Sequence, residues 1–164
     1  MSEEREMKPY KDRVWMALYV GSTHGQRLKA YLAERGIPHY FPKMKSEAGA
    51  APMFRNYLFA ALDKDGLAGM RKYGAKVLAQ AEDGGSLLDE LKLVRRFETE
   101  AGGKAVTVIP GIADGQQCKI ASGALKGLCG VIIEKNAKRL FAVNLEKLNQ
   151  TLAVDFLHFG QRLA

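Results

Sequence analysis

The stretch Ser122 to Ile132 reads SGALKGLCGVI, a run in which Gly123, Gly127 and Gly130 surround a single positive charge, Lys126. Two structures compete for such a pattern. A phosphate-cradling loop needs a glycine four residues clear of a Gly-Lys-Ser/Thr triplet, so that backbone N–H groups converge on the phosphates and the lysine reaches the outermost one. Here Lys126 precedes its glycine and neither Ser nor Thr follows it. The glycines are instead expected at turn and bulge positions between strands. The flanking sequence agrees: CKIA at 118–121, GVIIEK at 130–135, RLFAVNL at 139–145 and LAVDFL at 152–157 are short β-rich runs, with no helical period among them. Asn136-Ala137-Lys138 suits a short hairpin loop. Residues 111–164 are therefore predicted to form a small all-β barrel.

Upstream the texture differs. Val14 to Val20 (VWMALYV) is an apolar run of strand length. Thr23 and Gln26 then form a capping-box pattern, Leu28, Tyr31, Leu32 and Arg35 follow at helical spacing, and Gly36 is placed to end that helix in a left-handed conformation. Ile37 to Pro42 reads as extended because each proline biases its predecessor away from helix. A short polar loop, Lys43 to Ala51, leads to a second strand at Tyr57 to Leu62 (YLFAAL). A helix weakened by Gly66 and Gly69 is expected over Lys64 to Tyr73, and a strand over Ala75 to Ala81. Ser86 to Asp89 signals a third helix start, with Leu87, Leu91 and Val94 on one face. The fold class is thus α+β: an antiparallel sheet with flanking helices over residues 13–98, a linker at 99–110 opened by the polar TEAGGK, and the barrel at 111–164.

The chain has 164 residues, enough for one ordinary domain or two small ones, and its 47% hydrophobic and 26% charged residues are those of a soluble globular protein. Lys and Arg outnumber Asp and Glu by 25 to 18, a balance suited to a polyanionic neighbour. The excess is spread along the chain, 17 basic against 13 acidic up to Glu98 and 8 against 5 beyond it. No apolar run reaches the roughly 18 residues of a spanning helix, and the charged start MSEEREMKPYKDR is followed by no apolar leader core, so a cytoplasmic location is expected. Cys118 and Cys129 lie outside any C-x-x-C pattern and His24, His39 and His158 are scattered, so no metal is expected. Gly21-Ser22-Thr23-His24 sets a hydroxyl beside a histidine, but sequence neighbours do not make a nucleophile–base pair, and no catalytic residue is assigned.

Three segments then combine. Gly115 to Lys135 (GQQCKIASGALKGLCGVIIEK) resembles the KOW motif, Trp15 to Val20 (WMALYV) resembles the first strand of an NGN domain, and Met53 to Phe59 (MFRNYLF) resembles its Leu-Phe-Pro-Gly/Asn-Tyr-x-Phe signature. In this order, over roughly residues 13–159, they are similar to the NusG family of bacterial transcription elongation factors, including specialised antiterminators of the RfaH and polysaccharide-operon type. Arg55 stands where the signature has proline, and Met16 where a second aromatic is usual.

The resemblance implies function as follows. The first domain would bind RNA polymerase through exposed aromatics at the matching positions Tyr19, Phe54, Tyr57 and Phe59, and suppress pausing or termination. Arg27, Lys29 and Tyr31 fall where specialised relatives read the non-template DNA strand; Arg and Lys suit phosphate and Tyr suits a base, although a solvated helix face with Tyr31 in the core uses the same residues. The KOW domain would dock a ribosomal small-subunit protein or Rho through Leu148, with Ile120 beside it. No cofactor, metal or membrane is implied. The alternative is a ribosome-associated KOW protein that binds structured RNA through its barrel and uses the first domain as a scaffold.

Overall fold

The computed structural model describes residues 7–21, 25–46, 49–80, 86–100, 106–123, 125–155 and 162–163. The elements run in the order β1 (Val14–Tyr19), α1 (Gly25–Glu34), β2 (His39–Tyr40), β3 (Lys43–Ser46), β4 (Gly49–Pro52), β5 (Tyr57–Leu62), α2 (Lys64–Lys72), β6 (Lys76–Gln80), α3 (Ser86–Glu100), β7 (Val106–Pro110), β8 (Gln116–Ser122), β9 (Cys129–Lys135), β10 (Lys138–Leu145), β11 (Gln150–Asp155) and β12 (Arg162–Leu163). The fold is mixed α+β with antiparallel sheets. It divides into two compact units, residues 1–42 with 54–92, and residues 43–53 with 93–164.

The first unit is built on the sheet β2-β5-β1-β6. Its two central strands are buried along most of their length, which is why VWMALY and YLFAAL read as continuous apolar runs, whereas edge strand β6 alternates between exposed and half-buried residues. One face carries Met16, Leu18, Val20, Leu58, Ala60 and Leu62 into a core with Leu28 and Leu32 of α1 and Met70 of α2. The other face buries Trp15, Ala17, Tyr40, Phe59 and Ala61. The Trp15 indole N–H donates to the Lys8 carbonyl at 2.8 Å, folding the preceding segment back over it.

The helix ends follow local chemistry. Gly36 ends α1 at φ 62°, with its N–H on Ala33 O and that of Ile37 on Leu32 O, the paired bonds of a Schellman cap. Asp63 caps α2 by accepting from the Gly66 N–H at 2.7 Å. The capping residue proposed for α1, Thr23, lies outside the described residues.

The second unit carries the antiparallel sheet β8-β9-β10-β11-β7, with β12 against β8. Phe141, Val143, Leu145, Leu152 and Val154 of its central strands are buried. Thr151 is the one fully buried polar side chain among the described residues. It donates to the Gly111 carbonyl at 2.8 Å or to Asn144 Oδ1 at 2.7 Å, while the Asn144 amide binds both the N–H and the carbonyl of Ala113 at 2.9 Å. This clamp fastens residues 111–113 to β10 and β11.

Three expectations need correction. The segment Lys43 to Ala51 is not a loop: β3 and β4 pair from Lys43↔Pro52 to Ser46↔Gly49, and the Lys43 N–H reaches Glu98 Oε2 at 2.7 Å. That bond and the hairpin's self-pairing explain its grouping with the second unit. Within the linker expected at 99–110, Thr99 and Glu100 complete α3 and Val106–Pro110 form β7, paired with β11. The first domain does not close at Glu98 either: from Leu93 onward α3 groups with the second unit, where Arg96 donates to the Lys126 carbonyl at 2.7 Å.

Candidate functional site

The glycine-rich stretch is a structural turn. Gly123 and Gly127 adopt φ of 90° and 91°, which a side chain disfavours. Three successive N–H groups of the turn are already used within it: Lys126 N–H bonds Gly123 O, Gly127 N–H bonds Ile120 O and Leu128 N–H bonds Leu125 O. Gly130 lies inside β9 for a different reason. A Cβ there would meet the Ala142 carbonyl and stand 2.9 Å from the Phe141 ring. Leu125 and Leu128 turn inward and are buried, so the described part of the stretch packs the sheet.

At the end of the first sheet the aromatic residues separate by exposure. Tyr19 and Tyr57 are directly opposite in the β1–β5 register and therefore on one face. Tyr19 is 42% exposed and Tyr57 half-buried, whereas Phe54 is 5% and Phe59 0% exposed. As exposed contacts, Phe54 and Phe59 are thus corrected to core residues. Phe54 stacks on Tyr57 with centroids 5.9 Å apart, meets Phe59 edge-on at 6.0 Å, and Phe59 in turn lies 6.4 Å from Tyr40. The buried rings form the support beneath the two tyrosines.

The connecting turn explains the signature. Tyr57 N–H bonds Phe54 O at 3.4 Å, and Asn56 has φ 66°, the positive value a type II turn requires at its third position. Asn and Gly tolerate that conformation. Arg55 occupies the second position, where proline is favoured but not required.

The proposed DNA residues do not form one surface. Arg27 and Tyr31 are four residues apart on α1, but Lys29 points elsewhere and lies over the Phe41 ring at 4.4 Å. Tyr31 is committed internally: Tyr73 is 6.3 Å away, the Arg35 guanidinium covers its ring at 4.7 Å, and a Cβ at Gly69 would collide with its hydroxyl. Base stacking by Tyr31 is therefore corrected to packing between α1 and α2.

A different basic group emerges from the packing. Arg35 at the end of α1 and Asp63, Asp65 and Gly66 at the start of α2 line one cleft, so the helices run antiparallel. Arg27 consequently lies at the end where α2 finishes in Arg71 and Lys72, and Lys76 follows on β6 directly opposite Tyr19. All four are exposed, and the acidic residues Glu34, Asp63 and Asp65 sit at the other end of the helices. Sequence reasoning missed Arg71, Lys72 and Lys76 because only the antiparallel run of the helices and the β1–β6 pairing bring them to the end of the unit where Arg27 lies. One end of the unit thus carries Tyr19, Tyr57 and Lys76 on one sheet face, and Arg27, Arg71 and Lys72 on the helices that cover the other.

In the second unit Ile120 and Leu148, expected as exposed contacts, are 1% and 3% exposed. The turn after β10 has Asn149 at φ 52° and bonds Gly111 N–H to Asn149 O at 2.9 Å, which rolls Leu148 inward. Cys118 is half-buried and Cys129 exposed, and both are free thiols. Burial pushes the Cys118 thiol up, with the neighbouring Cys129 adding to the shift, the opposite of what a nucleophile needs. Among the described residues no three His, Cys, Asp or Glu side chains gather as metal ligands, and no helix is long and apolar enough to cross a membrane. Neither a protein-family model nor a curated protein matches this chain.

Proposed function

We infer that this chain is a transcription elongation or antitermination factor of the NusG type, more specifically of its specialised antiterminator branch. Its first unit, read as an NGN domain, binds RNA polymerase and suppresses pausing; its second, read as a KOW barrel, recruits a ribosomal small-subunit protein or Rho. The observation that carries the reading is the Tyr19–Tyr57 pair. Two aromatic side chains stand opposite one another at a sheet end, accessible yet backed by the buried rings of Phe54 and Phe59. Rigidly supported aromatics are the usual anchors of protein interfaces. Arg27, Arg71, Lys72 and Lys76, exposed at the same end of the unit, suit the phosphates of a displaced non-template strand. The ordered resemblance of WMALYV, MFRNYLF and the KOW-like segment, and the five-stranded antiparallel sheet of the second unit, support the same reading. The activity proposed is binding, without catalysis or cofactor.

Single-round transcription on a template with a defined pause tests it. Adding the protein should shorten the pause, and Tyr57→Ala should abolish the effect at concentrations where the wild type saturates. An unchanged pause and unchanged termination with the wild-type protein would reject the proposal.

A further inference from the structure

Two cations share the sheet end with Tyr19 and Tyr57. Lys76 of β6 stands directly opposite Tyr19, which itself stands opposite Tyr57, so the three form one row across adjacent strands, about 10 Å wide. Arg55 is exposed at the second position of the turn that leads into Tyr57, and the Val20 N–H donates to the Asn56 carbonyl at 2.8 Å, which pins that turn beside the end of β1. Lys76 thus edges the tyrosine pair along the row and Arg55 edges it at the sheet end. Strands β1, β5 and β6 contain no carboxylate, and among the described residues neither Arg55 nor Lys76 makes an ion pair.

The turn would be more stable without its charge. Its second position favours proline, whose fixed φ suits the turn and lowers the entropy of the unfolded chain, and an exposed arginine forgoes that gain. Lys76 differs from the other cations at this end: Arg27, Arg71 and Lys72 belong to helices that cover the opposite sheet face, whereas Lys76 shares the face of the tyrosines. A lysine on an edge strand also discourages pairing with other chains, a role indifferent to what the tyrosines bind. A local rule broken beside a candidate contact points to the partner rather than to folding.

We propose that Arg55 and Lys76 set the specificity of the tyrosine contact: the surface they meet is an apolar patch of RNA polymerase rimmed by Asp or Glu carboxylates. The proposal rests on reading Tyr19 and Tyr57 as the polymerase contact, and it names the chemistry of the surface opposite them. The tyrosines supply affinity by burial, while the two rim cations steer the encounter and reject surfaces with a basic edge. Lys76 is thereby assigned to the protein contact, which leaves Arg27, Arg71 and Lys72 for phosphate.

Association of the full-length chain with core RNA polymerase free of nucleic acid is followed by stopped-flow over a salt series, beside the unfolding midpoint of each variant. The wild-type rate should fall as salt rises. Arg55→Glu and Lys76→Glu should each slow association about fivefold or more at low salt, converge on the wild type at high salt, and leave dissociation nearly unchanged. Arg55→Lys, which keeps the charge, should restore the rate. Arg55→Pro should raise the midpoint yet slow association about twofold at low salt. The wild-type rate in both glutamate variants, with binding intact, would overturn the proposal and leave the polymerase reading standing. So would a loss in Lys76→Glu that appears only once a nucleic-acid scaffold is added, the mark of a phosphate contact. No binding by the wild-type chain would overturn both.

Discussion

Tyr57 and Leu148 both lie in or beside a tight turn at a strand end, each preceded by a polar residue, and both are natural candidates for a partner contact. Their fates are opposite. Tyr57 stands at the rim of its sheet, opposite an exposed Tyr19, because the type II turn at 54–57 returns the chain directly into β5. Leu148 is folded under its turn, where Asn149 in the left-handed region redirects the backbone and Gly111 N–H ties it down. The difference teaches that turn geometry, rather than the hydrophobicity of the residue, decides whether an apolar side chain at a strand end becomes surface or core.

The comparison is most sharply tested by truncation. Leu148→Ala should cost about 2–5 kcal/mol in urea unfolding, as expected for a buried leucine, whereas Tyr19→Ala should cost about 0.5 kcal/mol or less. Equal costs would remove the distinction between them. Next in size is the clamp beside Leu148. Thr151→Val keeps the shape but deletes the hydroxyl that donates toward the Gly111 carbonyl and Asn144 Oδ1, and about 1–3 kcal/mol should be lost in the same measurement. If the clamp is instead dispensable, the valine variant unfolds at the wild-type midpoint.

A smaller effect should appear at the turn before Tyr57. Arg55→Pro pre-sets the second position of the type II turn and should stabilise the protein by about 0.4–1 kcal/mol, through the unfolded chain, without altering the tyrosines. Destabilisation would show that Arg55 holds a conformation proline cannot reach. The smallest effect is chemical. Because burial raises the Cys118 pKa, less of it is thiolate at a given pH, so iodoacetamide should label Cys129 first around pH 8 and the gap should narrow as the solution becomes more alkaline. Peptide mass spectrometry over a time course reads this directly, and faster labelling of Cys118 would contradict it.

Much of the fold was legible because its central strands are buried on both faces and α1 ends on glycine. YLFAAL, VWMALY and the Gly36 cap carry their structure in local sequence. The β3–β4 hairpin was not legible: Lys43 to Ser46 and Gly49 to Pro52 are short, polar or small, and are held by each other and by a side chain 55 residues away. Likewise β7 was absorbed into a linker because its strand character depends on pairing with β11. At the candidate site, the tyrosine positions could be marked from spacing, but exposure could not. Phe59 and Tyr57 share a face at strand period, and only the covering of the sheet interior separates anchor from support. The cationic group needed the antiparallel crossing of α1 and α2, which no local pattern encodes.

The central claim is that Tyr19 and Tyr57 are the contact with RNA polymerase. It is tested most directly by the affinity of the full-length chain for the core enzyme, measured beside the unfolding midpoint of each variant. The account predicts that Tyr19→Ala and Tyr57→Ala each weaken binding by about tenfold or more, as interface anchors do, while Tyr19→Ala leaves the midpoint unchanged. Wild-type affinity in both variants, or no binding by the wild-type chain, would contradict it.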